Sequence, residues 1–182
     1  MDRRLTWRDE QVSLEAPAWV ALPRVFGDGQ HPTTMLAADE LAAALAAHPG
    51  ARVLDAGSGT GVLAERALAA GANEIVAVDR DADAVACTRV RIPSARVLRR
   101  DLTQGVCDLG SFDVIVTNLP TEQLVACAGA LAAAVAPRGQ LIATGAPLVF
   151  ARRVERSIVC GGLTIVARRA RSGWCALVAH TG

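Results

Sequence analysis

Val53-Leu54-Asp55-Ala56-Gly57-Ser58-Gly59-Thr60-Gly61 runs from an apolar stretch into three alternating glycines. A short apolar run that breaks into glycine reads as a buried strand turning sharply into a helix, here over about Val62 to Ala70. Glycine lets the backbone turn tightly and lets a ligand approach it closely. In an open α/β sheet that ligand binds beyond the carboxyl ends of the strands. Two glycine-rich readings fail on particular residues. A dinucleotide fingerprint counted from Gly57 wants a small residue where branched Val62 stands. A phosphate-binding P-loop wants Gly-Lys-Ser/Thr, and none follows.

Outward from this turn the chain alternates. Arg52 to Asp55, Glu74 to Asp79, Ala95 to Arg99, Phe112 to Thr117 and Gln140 to Thr144 read as strands. Between and after them, Ala82 to Arg91, Thr121 to Ala136 and Leu148 to Cys160 read as helices. An earlier helix starts at His31-Pro32 and stops at His48-Pro49-Gly50. Leu163 to Arg168 and Trp174 to Ala179 close the chain as two strands joined by a tight turn. Strands linked through helices imply right-handed crossovers and a parallel sheet covered on both faces. The expected fold is therefore α/β: a Rossmann-like, doubly wound, mostly parallel sheet with a C-terminal antiparallel hairpin, in three α/β/α layers. Residues 1–30 read as an amino-terminal arm with no core of its own, and 31–182 as the single domain.

Composition narrows the function classes. The chain has 182 residues, 52% hydrophobic, with a formal net charge of +1. That is enough to bury one core and argues against disorder. A near-zero charge argues against a broad nucleic-acid or acidic-membrane surface, so neither partner is expected. Five Cys at 87, 107, 127, 160 and 175 lack ligand spacing, so they read as reduced thiols and no metal is expected. The amino terminus has no secretory apolar run, and Leu124 to Ala136 is too short to span a bilayer. A cytoplasmic protein is expected.

With those alternatives gone, D-x-G-x-G-x-G resembles motif I of the class I S-adenosylmethionine-dependent methyltransferases. The resemblance implies that the backbone at Gly57, Gly59 and Gly61 packs against the methionine part of the cofactor. It also implies that Asp55 helps to anchor its ammonium group. Asp79 closes the next strand, where a carboxylate can accept two hydrogen bonds from a ribose diol. Asp101 follows the third strand, where such folds hold the adenine amino group. Asn118-Leu119-Pro120 ends the fourth strand, at the position where amine-directed methyltransferases carry motif IV. An Asn carbonyl there can accept a hydrogen bond from an acceptor amine and aim its lone pair at the methyl group, which makes Asn118 the candidate catalytic residue.

Upstream, Phe26-Gly27-Asp28-Gly29-Gln30-His31-Pro32-Thr33-Thr34 is similar to the F-G-x-G-x-H-P-T-T signature of the PrmA family. These are bacterial enzymes that trimethylate amino groups of a ribosomal protein. Gly173-Trp174-Cys175 is similar to that family's last strand. The likeness covers about residues 24–182 and adds Thr34 to the implied cofactor contacts, beside Gly57, Asp79 and Asn118. It implies protein methylation, with an amine-bearing acceptor that is a ribosomal protein, another protein or a small amine. Two departures stand out. Few residues precede the signature, where the family carries an amino-terminal substrate-recognition domain, and Pro120 leans toward an Asn-Pro-Pro type of motif. The first motivates an alternative: a catalytically weak or inactive S-adenosylmethionine-binding module that acts with a partner.

Overall fold

The computed structural model describes residues 25, 26 and 29–181, so nearly all of the expected amino-terminal arm lies outside them. Helix α1 (Pro32–Ala47) leads into strand β1 (Arg52–Ala56), helix α2 (Val62–Ala69), strand β2 (Glu74–Asp79), helix α3 (Ala82–Arg91) and strand β3 (Arg96–Arg99). Strand β4 (Phe112–Asn118), helix α4 (Thr121–Ala132), strand β5 (Val135–Pro147), helix α5 (Ala151–Cys160) and strands β6 (Thr164–Arg171) and β7 (Trp174–His180) complete the order. The seven strands form one sheet in the order β3-β2-β1-β4-β5-β7-β6. β3, β2, β1, β4 and β5 pair in parallel, and β7 joins β5 and β6 antiparallel.

The apolar runs explain the layering. Val53, Leu54, Val114, Ile115 and Val116 are all fully buried, because both faces of the central strands are covered. One face packs Leu54, Ile115 and Leu141 against α4 and α5 through Leu124, Leu131, Val154 and Ile158. The other packs Val53, Val114 and Ile142 against α1 and α2 through Leu41, Leu45 and Leu63. Each such side chain contributes about 1.5–3 kcal/mol on burial.

The strand order reverses between β1, which has β2 on one side, and β4 on the other. A crevice opens at such a switch point, at the carboxyl ends of the strands. The glycine loop and Asn118 both end there.

Several expected boundaries move: α5 starts at Ala151, after a 3-10 turn over Leu148–Phe150, β6 runs on to Arg171, and the largest shift lies between α4 and β5. The alanine-rich helix stops at Ala132 rather than Ala136, and β5 starts at Val135 rather than Gln140. The amide of Ala134 donates to the Leu131 carbonyl, and the Ala134 carbonyl accepts from the Phe112 amide at 2.9 Å. Alanine propensity favours continuing the helix, but pairing of Val135 with Phe112 at the foot of β4 outweighs it. No described helix is long and apolar enough to cross a membrane.

Candidate active site

The glycine loop is held from three directions. The amides of Gly57 and Ser58 donate to the Val78 carbonyl at 2.8 and 3.1 Å, and the amide of Gly59 donates to Asp79 Oδ2 at 2.9 Å. The amide of Thr60 donates to the Phe26 carbonyl at 3.2 Å, which ties the start of the signature segment onto the loop. A Cβ on Gly59 would stand 2.5 Å from that carbonyl oxygen, so the close neighbour that Gly59 admits is the protein's own backbone. Gly59 still lines the large cavity described below.

Gly61 and Asp55 do something other than wall that cavity. Gly61, at φ 79°, is the N-cap of α2 and carries no capping side chain. A Cβ there would stand about 3.1 Å from Thr88 of α3. Asp55 reaches across from β1 and caps the helix instead, accepting from the Ala64 amide through Oδ2 at 3.0 Å. Its Oδ1 is buried and has no hydrogen-bond partner among the described residues. Burial first, and then the charge of Asp79, push the Asp55 carboxyl up to about 7 against the opposing effect of the Ala64 hydrogen bond.

That shift has a measurable consequence. Between about pH 4 and pH 7 the unfolded chain releases this proton while the folded chain keeps it, so the group's contribution to stability falls as pH rises and levels off above about 7. Asp55→Asn keeps a carbonyl for the Ala64 amide and cannot ionise. Denaturant unfolding at pH 5 and pH 8 should show the native chain losing on the order of a few kcal/mol relative to this variant. Parallel pH profiles for the two proteins would refute a buried proton on Asp55.

The strand ends converge on an open cavity of about 810 Å³. Thr34, Gly57, Asp79, Asn118 and Trp174 are among the residues that line it. A second cavity of about 250 Å³ adjoins it, shares Gly57, Asp79 and Leu119, and has Asp101, Leu102 and Cys127 on its far side. Asp79 thus stands at the junction. Its Oδ2 accepts from Gly59 and its Oδ1 from the Asp81 amide, both at 2.9 Å, which fixes the carboxylate and leaves each oxygen further lone-pair capacity. Asp101 accepts from the amide and hydroxyl of Thr103 through Oδ1, at 2.9 and 2.8 Å. Those bonds hold its carboxyl below the usual range, as a charged acceptor at the mouth. Burial pushes the Cys127 thiol up to about 11, so it is an uncharged wall.

Asn118 Nδ2 donates to Thr34 Oγ1 at 3.2 Å. The amide nitrogen is thereby committed to α1, and the side-chain carbonyl has no partner among the described residues. Gly145 of β5 makes this corner possible. At φ 100°, its Cβ position lies 2.2 Å from the Leu119 carbonyl oxygen, while the Leu119 amide donates to the Thr144 carbonyl at 3.1 Å.

Several lining residues were not singled out in the sequence for this site. Aromatic side chains are scarce, three Trp and three Phe in all. Of the described ones, Phe112 lies in the core, whereas Phe26, Phe150 and Trp174 all line the larger cavity. The His31 ring sits edge-on between Phe26 and Trp174, with centroid distances of 5.4 and 5.0 Å. Its Nδ1 accepts from the Thr33 amide and caps α1. The scarcity of aromatics was a usable signal. Their meeting at one place was not, because the non-consecutive antiparallel pairing of β7 with β5 brings Trp174 across from Pro147.

A seven-stranded sheet of this order, with its antiparallel final strand inserted beside β5 and its cavity at the switch point, is the fold of the Rossmann-like class I methyltransferases. Solved structures bear this out: ribosomal protein L11 methylase from Lactobacillus delbrueckii subsp. bulgaricus superposes with a TM-score of 0.76 and 25% identity, over 86% of this chain and 81% of that one. Magnesium protoporphyrin IX methyltransferase from Synechocystis PCC 6803 shares the fold at a TM-score of 0.67 and 22% identity. It is matched over 100% of this chain and 98% of its own.

The family model described as Ribosomal protein L11 methyltransferase (PrmA) matches residues 16–181. Relatives of that name from Ralstonia pickettii (strain 12J) and Geobacter metallireducens are 38% and 36% identical, over 94% and 86% of this chain. The chain belongs to the ribosomal protein L11 methyltransferase (PrmA) family. It spans 57% and 52% of those relatives, roughly half of their length.

Proposed function

We propose that this chain is the catalytic domain of a cytoplasmic S-adenosylmethionine-dependent methyltransferase that transfers a methyl group to an amino group of a protein. We further propose that residues 31–182 are the working domain, with the Phe26 carbonyl just ahead of it bonded to the glycine loop. The observation that carries the reading is the Asn118 side chain at the cavity, with its nitrogen engaged by Thr34 and its carbonyl uncommitted. The family's name adds a ribosomal protein as the acceptor class.

The donor set suits the cofactor. Two adjoining cavities meet at Gly57 and Asp79, which matches a ligand with an adenosine half and an amino-acid half. On this reading Asp79 holds the ribose hydroxyls, Asp101 the adenine amino group, and Thr34 and Asn118 the cofactor's near edge. Gly57 and Gly59 supply close backbone. Asp55 and Gly61, which line neither cavity, act one layer back, by capping and shaping the start of α2. S-adenosylmethionine supplies an electrophilic methyl group on a sulfonium sulfur.

What the chain contributes is orientation and desolvation. The Asn118 carbonyl accepts from an N–H of the entering amine and directs its lone pair into the cavity, an effect of positioning rather than of proton transfer. A lysine-type amine has a reference pKa of about 10.4 and must arrive neutral. The apolar walls at Pro120, Phe150 and Trp174 disfavour its charged form. Of the titratable side chains nearby, His31 is held through Nδ1 at Thr33, and Glu122 makes a two-fold contact with Arg153 at 2.5 and 2.6 Å.

Calorimetric titration with S-adenosylmethionine, beside mass spectrometry of ribosomal proteins and basic peptides as acceptors, tests the proposal. Binding with a mass gain on an amine is expected, and failure to bind the cofactor would refute it. Asp79→Ala should weaken cofactor affinity at least tenfold, since hydrogen bonds to a charged group are worth about 1.5–3 kcal/mol each. It should also loosen the loop, because the Gly59 amide loses its acceptor. An unchanged dissociation constant would remove Asp79 from the site.

A further inference from the structure

The net charge of +1 conceals a segregation along the chain. From Leu148 onward lie six of the 19 Arg and only one of the 18 acids, a net +5 against −4 for the rest. The fold gathers all six on α5 and β6, along the sheet edge formed by β6. Four of them are tied to acids: Arg153 to Glu122, Arg168 to Glu155, Arg169 to Glu40 and Arg171 to Asp39. Arg152 and Arg156 are exposed and have no hydrogen-bonded carboxylate among the described residues. With Arg168 they surround a groove of about 490 Å³ in which Glu155, already engaged by Arg168, is the only acid among the described lining residues.

We infer that this α5–β6 edge is a docking surface for the phosphate backbone of a nucleic acid. Three guanidinium groups facing one occupied carboxylate leave an excess of positive charge, and guanidinium forks match phosphate oxygens two at a time. Neither α5 nor β6 carries an aromatic side chain. A protein partner held by a buried aromatic anchor finds none here, whereas backbone contacts to phosphates need only cations. The edge also begins at the large cavity: α5 starts next to Phe150, and Arg171 pairs in register with Trp174, both of which line it. A nucleic acid held on this edge therefore lies beside the cavity mouth.

Fluorescence anisotropy tests this, with a labelled RNA stem-loop and a DNA duplex of matched sequence over a range of salt. The native chain should bind at low salt and weaken steeply as salt rises. Arg152→Glu/Arg156→Glu should bind at least tenfold more weakly, and its log–log salt slope should fall by about 2. Arg96→Glu/Arg138→Glu makes the same change in net charge on exposed residues away from this edge and should stay within twofold of native. Tighter binding of the RNA, or equal binding of both, supports the backbone reading and says whether the sugar is sensed. Absence of a complex with either nucleic acid would overturn it, as would equal loss in the two double variants or equally effective competition by polyaspartate. Arg152→Gln/Arg156→Gln guards against a misfolded reversal variant. Calorimetry with S-adenosylmethionine on the same proteins keeps this result separate from the proposed activity.

Discussion

Gly145→Ala is expected to lower the melting temperature by roughly 6–12 °C, the shift that about 3 kcal/mol produces in a domain of this size. Two costs combine. A residue other than glycine at φ 100° is strained by about 1–3 kcal/mol. The added methyl would also overlap the Leu119 carbonyl oxygen at 2.2 Å, and such overpacking costs about 1–3 kcal/mol even after the neighbours shift. Leu119 cannot move alone. Its amide is bonded to Thr144, and Asn118 precedes it, so relief of the clash displaces the one side chain on which the proposed chemistry depends. Calorimetric unfolding and cofactor titration on one preparation should therefore show lost stability together with lost affinity. A variant that melts within a degree or two of the native protein would mean that the strand end is not held as described.

Asn118→Ala is expected to leave the fold intact and to reduce turnover tenfold to a hundredfold, about 1–3 kcal/mol in the barrier. Affinity for S-adenosylmethionine should fall less. Thr34 loses a partner, but Asp79 and Asp101 remain, whereas orientation of the acceptor acts in the transition state alone. Release of S-adenosylhomocysteine with a competent acceptor gives the rate, and calorimetry gives the affinity. Full turnover in the variant would rule out positioning by Asn118. Tight cofactor binding with no turnover on any acceptor, in the native chain, would instead favour a binding module that works with a partner.

Much of the cavity was legible because the pattern that makes it is local. Gly57, Asp79, Asp101 and Asn118 each terminate or follow an apolar strand run. In a doubly wound sheet every such end points to the same side. The roles of individual positions were less legible. Gly59 reads as room for a ligand, yet the atom nearest to its missing side chain is the Phe26 carbonyl oxygen. Asp55 reads as a ligand contact, yet one of its oxygens caps α2, because Gly61 has no side chain to do so. The end of α4 was misread for a different reason. Alanine is neutral to what it packs against, so a run of it marks a helix without marking its end, and pairing with Phe112 set the boundary.

The chain's one-dimensional order determined the strand–helix alternation, the parallel core, the closing hairpin and the strand-end residues that face the cavity. All of these follow from hydrophobic period and turn chemistry within a few residues. Only the tertiary structure decided which distant residues meet. Strand order sets Thr34 against Asn118 across 84 positions of sequence. It seats Gly145 under Leu119, gathers three scarce aromatics at one mouth, and gathers six arginines along one edge. Those contacts depend on sheet register and on helices packing across it. Register is selected by burial summed over whole strands, a quantity that no short window of sequence contains.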